Sequence, residues 1–594
     1  MTRHDSAAAV AAVEEAHKLR LLALEHSESG DDDRALEMLR SALRVAPNNA
    51  LIHSDIGVIA TRQERWRFAA QCFARAVKLD PSDSVSRFYW ATALRQCDAL
   101  RAAWREYKIL LEGRPADFDA LEGLVDTANL LCDSEAALPF LERAATVKPR
   151  SRRIHRWIAK IHNRHGRMNE CLDALRREGR LTPAAMESAR LYASLGWPEA
   201  TAESQKSAFE RWITLYTKLA GALPVRTKNR RSTHPLRIGY LTGEFTNVPA
   251  YYFVMPLVQF HNPERTQLVL YHSREEMDAC TAEARRYFQM FHQVSQWTND
   301  RIAEQIQEDQ IDVLVDLSGH FDDHRLPVFR QRPAPVSFTY PNYPGTTGVP
   351  EIDFIFTDRW VDPAGSPAKY VEKPWHLDCG YLAYYPPRDA PPVAPPPALQ
   401  NGYITFGLVQ KPLKLHAGVW DSAAAVLRTV RHSRLILQYG FDDLNNPNST
   451  ACRRIRAEFA ERGVDPRRVS FRGPMSRQEH MMLRHEFDIG LDTFPYNGQT
   501  TTCESLWMGV PTITLAGETH VSRVGCTLLS NAGLTDYVAN THDEYVELAA
   551  RHAQDLRRLA TLRTSLRANV RRRLNGRRLA RTVEDAYLRA SAGR

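Results

Sequence analysis

Long apolar runs are missing from this chain of 594 residues. No stretch reaches the roughly 20 residues that a membrane-spanning helix needs. The first residues, MTRHDSAAAVAAVEEAHK, lack an apolar core with a cleavage site, so the expected compartment is the cytoplasm. Paired cysteines are missing as well. The nine cysteines run from Cys72 to Cys526 with no CxxC pair, which argues against a disulfide framework and against a zinc site. Cys503 reads as a small helix-face residue. No Asp-x-Asp pair follows a strand-like run, Asp322-Asp323 reads as a loop, and no metal is expected. The charge imbalance is modest at +8, although arginines gather near the C-terminus at Arg571 to Arg573, Arg577 and Arg578. No nucleic-acid-reading motif accompanies them, so they read as a solvated helix face and nucleic acid is not an expected partner.

What is present is the composition of a globular protein, 43% apolar and 25% charged, long enough for about three to four domains. Prolines fall at Pro47, Pro81, Pro115, Pro149 and Pro183, 34 residues apart each time. In the same frame stand Ala35, Ala69, Ala103 and Ala137, with Cys171 in the fifth slot. A second small column, Ala42, Ala76 and Ala144, is broken by Leu110 and Glu178. Alanine lets paired helices approach, and proline ends the second helix of each pair. Period 34 with these residues predicts an α-solenoid of tetratricopeptide repeats over 16–185, its fifth repeat degenerate. Phe73 and Tyr107 fall on matching packing positions. The concave face of such an array suits an extended polypeptide, and a helical joint is expected over 186–234.

From Pro235 the pattern changes to strands alternating with helix-length segments: LRIGYL, LVLYH and DVLVDLSG, then, after the proline-rich 386–400, YITFGL, LILQYG, RVSFRG, DIGLDT and TITLA. Two doubly wound α/β domains are predicted, over 235–385 and 401–594, with a cleft between facing strand ends. In the stretch 488–524 a strand breaks at Pro495 and Gly498, and a helix opens on Thr500, Thr501 and Thr502. Free backbone N–H groups and the positive end of the helix dipole make that start a candidate diphosphate seat. An ordinary strand–helix junction with threonine caps is the plainer alternative.

Four stretches carry a resemblance: LRIGYLTGEFTNVPA (236–250), RPAPVSFTYPNYPGTTG (332–348), FGLVQK (406–411) and LDTFPYNGQTTTCESLWMGVPTITLAGETHVSRV (491–524). They resemble the catalytic region of the O-GlcNAc transferase and SPINDLY-type family, glycosyltransferase family 41. The resemblance implies a two-lobe Rossmann-like fold of the GT-B type. It also implies inverting, metal-independent transfer of a sugar from a nucleotide-sugar donor, UDP-GlcNAc foremost, to Ser or Thr of proteins. The donor is a substrate, and no cofactor is implied. By the same resemblance Lys411 meets the donor diphosphate, Thr500 and Thr501 hold the phosphates, Glu504 takes a ribose-binding position and His480 lies near the base. Asn497, Gly498, Gln499 and Arg523 complete the donor motif. Glu244 keeps an acidic position on the other lobe and is either an acceptor-side base or a helix-start cap. Val248, Tyr252 and Gln499 stand where the family carries histidines, which leaves the sugar open. His234 does not match the family's upstream histidine in spacing and is left out. The expected partner is a protein substrate on the repeat array, with flagellin or another exported protein as a subclass; dimerisation is left open. The alternative is a non-catalytic repeat scaffold with inactive transferase lobes.

Overall fold

The computed structural model describes residues 3–198, 202–219, 235–321, 323–340, 342–366 and 370–593. His234 and Asp322, and with them part of the expected helical joint, lie outside these residues.

The N-terminal helices are α1 (Arg3–Glu28), α2 (Asp32–Val45), α3 (Ala50–Arg62), α4 (Trp66–Leu79), α5 (Ser84–Gln96), α6 (Leu100–Gly113), α7 (Phe118–Leu130) and α8 (Leu138–Val147), followed by α9 (Arg152–Arg164), α10 (Met168–Glu178), α11 (Pro183–Ser194) and α12 (Ala202–Leu219). The period of 34 has a second use here. Two residues after each of the first four repeat prolines stands a capping side chain: Asn49, Asp83 and Asp117 accept first-turn N–H groups, and the Ser151 hydroxyl accepts from Ile154; Pro183 instead opens α11, behind the cap Thr182. Ala35, Ala69 and Ala103 are fully buried, as are Phe73 and Tyr107. A Cβ on Gly57 would sit 2.7 Å from the Phe73 ring, and one on Gly123 would sit 2.3 Å from Tyr107. Glycine on one helix therefore makes room for the aromatic of a neighbouring helix.

The chain forms two compact units, one of Met1–Ile161 with Asp442–Arg453, the other of His162–Phe441 with Arg454–Arg594. In the first, Asp133 accepts the Thr450 N–H at 2.8 Å and Ser134 donates to Asp443 at 2.9 Å. An excursion of the C-terminal part of the chain is thus bonded to the turn before α8. The second unit takes in the end of α9, α10 and α11. A Cβ on Gly166 would lie 2.2 Å from the Pro412 carbonyl oxygen, and one on Gly196 would lie 2.6 Å from that of Leu413. Gly166 also has φ of +72°, so glycine serves both the turn and the approach.

The second unit holds two parallel sheets. The first runs β1 (Leu236–Thr242), β2 (Thr266–His272), β3 (Met290–Gln293), β4 (Val313–Asp316), β5 (Val336–Thr339), β6 (Phe354–Thr357) and β7 (Lys373–His376), in the order β3-β2-β1-β4-β5-β6-β7. The second runs β8 (Thr405–Val409), β9 (Arg434–Gln438), β10 (Val469–Arg472), β11 (Ile489–Leu491), β12 (Thr512–Leu515) and β13 (Val538–Ala539), in the order β10-β9-β8-β11-β12-β13. Each order reverses once, at β1/β4 and at β8/β11, and ligands of such sheets bind beyond the strand ends at those points. Four helices matter for the site: α13 (Tyr251–Gln259), α14 (Arg477–Met482), α15 (Thr500–Trp507) and α16 (Gly576–Ala592). α16 returns to the first sheet, with the Tyr587 ring 5.2 Å from Phe338 and the Glu584 carboxylate bonded to His261 at 2.9 Å. This is the solenoid followed by a two-lobe GT-B fold. No described helix is long and apolar enough to cross a membrane.

Candidate functional site

The turn between β11 and α15 is organised by Asp492. One of its carboxylate oxygens accepts from Gly498 N–H at 2.6 Å, Thr493 N–H at 2.9 Å and the Gln410 amide at 3.1 Å. The other accepts from the Thr514 hydroxyl at 2.8 Å. The Asn497 side chain ties the same turn, donating to the Thr493 carbonyl at 2.9 Å and accepting from Gly525 N–H at 3.1 Å. Beyond this frame the hydroxyls of Thr501 and Thr502 are shielded from solvent and meet no protein partner. Buried polar groups are normally paired, so two idle hydroxyls beside uncapped first-turn N–H groups fit an anion. Thr500 and Gln499, half-buried, stand at the mouth of the same cradle.

Gly498 keeps the cradle open. A Cβ there would lie 2.5 Å from the Gln410 amide nitrogen, 2.7 Å from the Thr501 hydroxyl and 2.8 Å from that of Thr502. All three are side-chain ends that can shift, so Gly498→Ala is expected to fold. It should still weaken binding of a diphosphate at the cradle by about tenfold or more through lost hydrogen bonds, read by titration calorimetry.

Two lysines follow β8, and the structure separates them. Lys411 precedes a 3-10 turn over Pro412–Lys414 and is exposed. Lys414 ends that turn with its ammonium buried, donating to the Asn497 carbonyl at 2.7 Å and lying 4.0 Å from the centre of the Tyr496 ring. Burial pushes Lys414 down to about 7, against the opposing pull of Asp492, and burial pushes Asp492 up to about 6. Lys411, to which the motif points, thus faces the open side of the turn, and Lys414 is spent on the frame against the Asn497 carbonyl.

At the far end of α15, Glu504 is buried and bonded to Arg484 at 2.9 Å, with His480 at 3.3 Å. Arg484 has no exposed side-chain surface and also donates to the His480 carbonyl. Burial works against the Glu504 charge, but Arg484 and His480 hold its carboxyl below the usual range. Burial and then Arg484 push His480 down, so its imidazole is neutral at pH 7. Glu504 is thus committed to an internal ion pair, with His480 at its edge. One turn before His480, Arg477 lies over the ring of Tyr252 at 4.1 Å, which brings α14 of the second lobe against α13 of the first.

Glu244 follows β1 on the first lobe. It is buried, and its N–H donates to the Thr242 hydroxyl at 3.0 Å. Arg523 is a brace: it donates to the carbonyls of Trp360 at 3.0 Å and Gly517 at 3.1 Å. Asn497 and Arg523 have therefore spent these side-chain groups on the frame. Sequence reasoning did not find Asp492, Lys414, Arg484 or His520. His520 is buried between Tyr370 at 3.1 Å and Tyr381 at 3.3 Å, and burial pushes it down to about 3. A neutral imidazole with a tyrosine at each nitrogen joins the GETH turn to the first lobe.

The sequence pattern of glycosyl transferase family 41 matches residues 211–383 and 414–577, and the chain belongs to this family. Among similar proteins, the tomato (Solanum lycopersicum) protein named probable UDP-N-acetylglucosamine–peptide N-acetylglucosaminyltransferase SPINDLY is 34% identical over 400 residues, which are 66% of this chain and 42% of that protein. The Caenorhabditis elegans UDP-N-acetylglucosamine–peptide N-acetylglucosaminyltransferase is 23% identical over 473 residues, covering 59% and 40%. The chain thus spans less than half the length of these relatives. A solved structure of a mutant Thermobaculum terrenum O-GlcNAc transferase superposes with a TM-score of 0.63 at 26% identity, covering 100% of this chain and 99% of that one.

Proposed function

We propose that the protein is a glycosyltransferase that moves a sugar, N-acetylglucosamine foremost, from a uridine diphosphate donor to Ser or Thr hydroxyls of polypeptides held by the repeat array. The carrying observation is the cradle, where the idle Thr501 and Thr502 hydroxyls, the start of α15 and the Gln410 amide surround space kept open by Gly498. Family membership and the names of the relatives support the donor and the acceptor class.

In this reading the acceptor oxygen forms a bond to the anomeric carbon from the face opposite the diphosphate, and the bond from that carbon to phosphate breaks. Lys411 offsets the charge growing on the departing diphosphate, where fixed charge has its largest catalytic effect. The acceptor proton passes to Glu244, directly or through water. Asn497, Gly498 and Arg523 frame the donor, Gln499 and Thr500 line its mouth, and His480 with Glu504 closes the nucleoside end. No step needs a metal. Flagellin and other exported proteins are an acceptor subclass to include in any screen.

Two measurements test this. Saturating nucleotide at about 100 times its dissociation constant should add roughly 2.7 kcal/mol of stability in thermal shift, with UDP tested beside GDP and CMP. Intact-mass analysis of proteins co-expressed with the enzyme should show gains of one sugar. Silence in both, in cells that make the native donor, leaves a repeat scaffold with inactive lobes.

A further inference from the structure

The end of α11 rests on both lobes of the second unit. Ser188 and Tyr192 lie one turn apart on one face of that helix, and both meet the first lobe. The Ser188 hydroxyl accepts the Trp212 indole N–H at 2.8 Å and lies 3.2 Å from Nδ1 of His320. Burial pushes His320 down to about 3, so the ring is neutral. Its Nε2 faces the Thr347 carbonyl at 2.8 Å and must carry the one proton, which leaves Nδ1 to accept from Ser188. The Tyr192 ring stands edge-on to Phe321 at 5.7 Å. Just past the helix, Leu195 is buried in a cluster with Tyr343 of the first lobe and Val521 of the second, bordered by Tyr192, Phe321 and Tyr496. Gly196 then lies against the Leu413 carbonyl.

Both contacts with the second lobe lead to Asn497. Its N–H donates to the Val521 carbonyl at 3.3 Å, and its own carbonyl accepts from Lys414, next to Leu413, at 2.7 Å. The peptide planes on either side of Asn497 are thus each held, which sets its two backbone dihedrals and the direction in which Gly498 leaves. Gly498 is the residue beside which the Thr501 and Thr502 hydroxyls and the Gln410 amide converge.

We propose that Leu195 and Gly196 are positioning residues for the donor: through Val521 and Leu413 they hold the Asn497 turn, and with it the shape of the cradle. The helix that ends the repeat region then takes part in binding nucleotide even when no polypeptide is present. This rests on the nucleotide-sugar reading of the cradle. The physical link is packing. Close-packed neighbours have no void to yield into, so a displacement at Leu195 or Gly196 passes to the groups they touch.

The test uses the full chain without acceptor and two probes, UDP and GDP, titrated calorimetrically. Leu195→Ala should weaken binding by about tenfold, the worth of one hydrogen bond to a charged group lost from the cradle. Leu195→Met refills the space and should restore most of it. Gly196→Ala, which pushes on the Leu413 backbone, should weaken binding in the same sense. Hydrogen exchange reads what mere support of the fold would not move. Saturating nucleotide should slow exchange over 190–197 in the unaltered protein, and 496–502 should exchange faster in Leu195→Ala than in the unaltered protein. Should Leu195→Ala fail to fold, Gly196→Ala and exchange in the unaltered protein carry the test. Unchanged affinity in either folded variant would overturn the proposal, as would nucleotide protection confined to the second lobe. If the unaltered protein binds neither UDP nor GDP, the donor reading itself falls, and the proposal with it.

Discussion

Lys411→Met should fold as the unaltered protein does and lose sugar transfer by about 100- to 1000-fold in kcat, the range for removing one charge from a site of developing negative charge. The side chain is exposed just past β8, so its removal leaves no buried group without a partner. The loss should fall on kcat more than on KM, because the charge on the diphosphate grows as its bond to the sugar breaks. Lys414→Met is the control: its ammonium is spent on the Asn497 carbonyl, so it should cost less in kcat than Lys411→Met. Single-turnover transfer to an acceptor protein checks both, and equal losses at the two positions would sink the assignment.

The largest stability effect is expected at Arg484. It is fully buried, bonded to Glu504 and to both the ring and the carbonyl of His480. Its own carbonyl accepts from Arg563 at 2.9 Å. Arg484→Met should destabilise the second unit by about 3–5 kcal/mol, most of it the cost of leaving the Glu504 charge buried without its partner. Adding Glu504→Gln should restore much of the loss, because the pair is then removed together. Urea unfolding of the two single variants and the double variant measures the coupling. Simple addition of the two single effects would show that the ion pair is not what holds this corner.

The repeat array was legible because its information is local and periodic. Alanine columns and prolines every 34 residues describe helix pairs whose contacts are with their neighbours. The βα alternation was equally open, and so was the turn at Gly498, since only glycine leaves room beside Gln410, Thr501 and Thr502. What stayed hidden depends on which way a short segment turns. Lys411 and Lys414 differ by three residues in a loop, and the 3-10 turn over Pro412–Lys414 sends the second inward while the first stays in water. Arg484, within RQEHMMLRH, looks like one more charge on a polar helix and has no exposed side-chain surface. Its partner Glu504 comes from another helix, and pairing between helices leaves no periodic mark. For the same reason Asp492 read as part of a strand end.

The approach of Gly166 and Gly196 to the turn that carries Lys414 has a consequence for genetics. By their place in the sequence Gly166 belongs to the repeat array and Gly196 to the helical joint. Any side chain at 166 would push on the Pro412 backbone, and any at 196 on that of Leu413. Backbone cannot yield as a side-chain tip can. On the proposed reading, a selection for lost glycosylation should recover alleles at these positions. Sorted by sequence alone they would be filed as failures to recognise substrate, although the backbone they displace follows Lys411 just past β8.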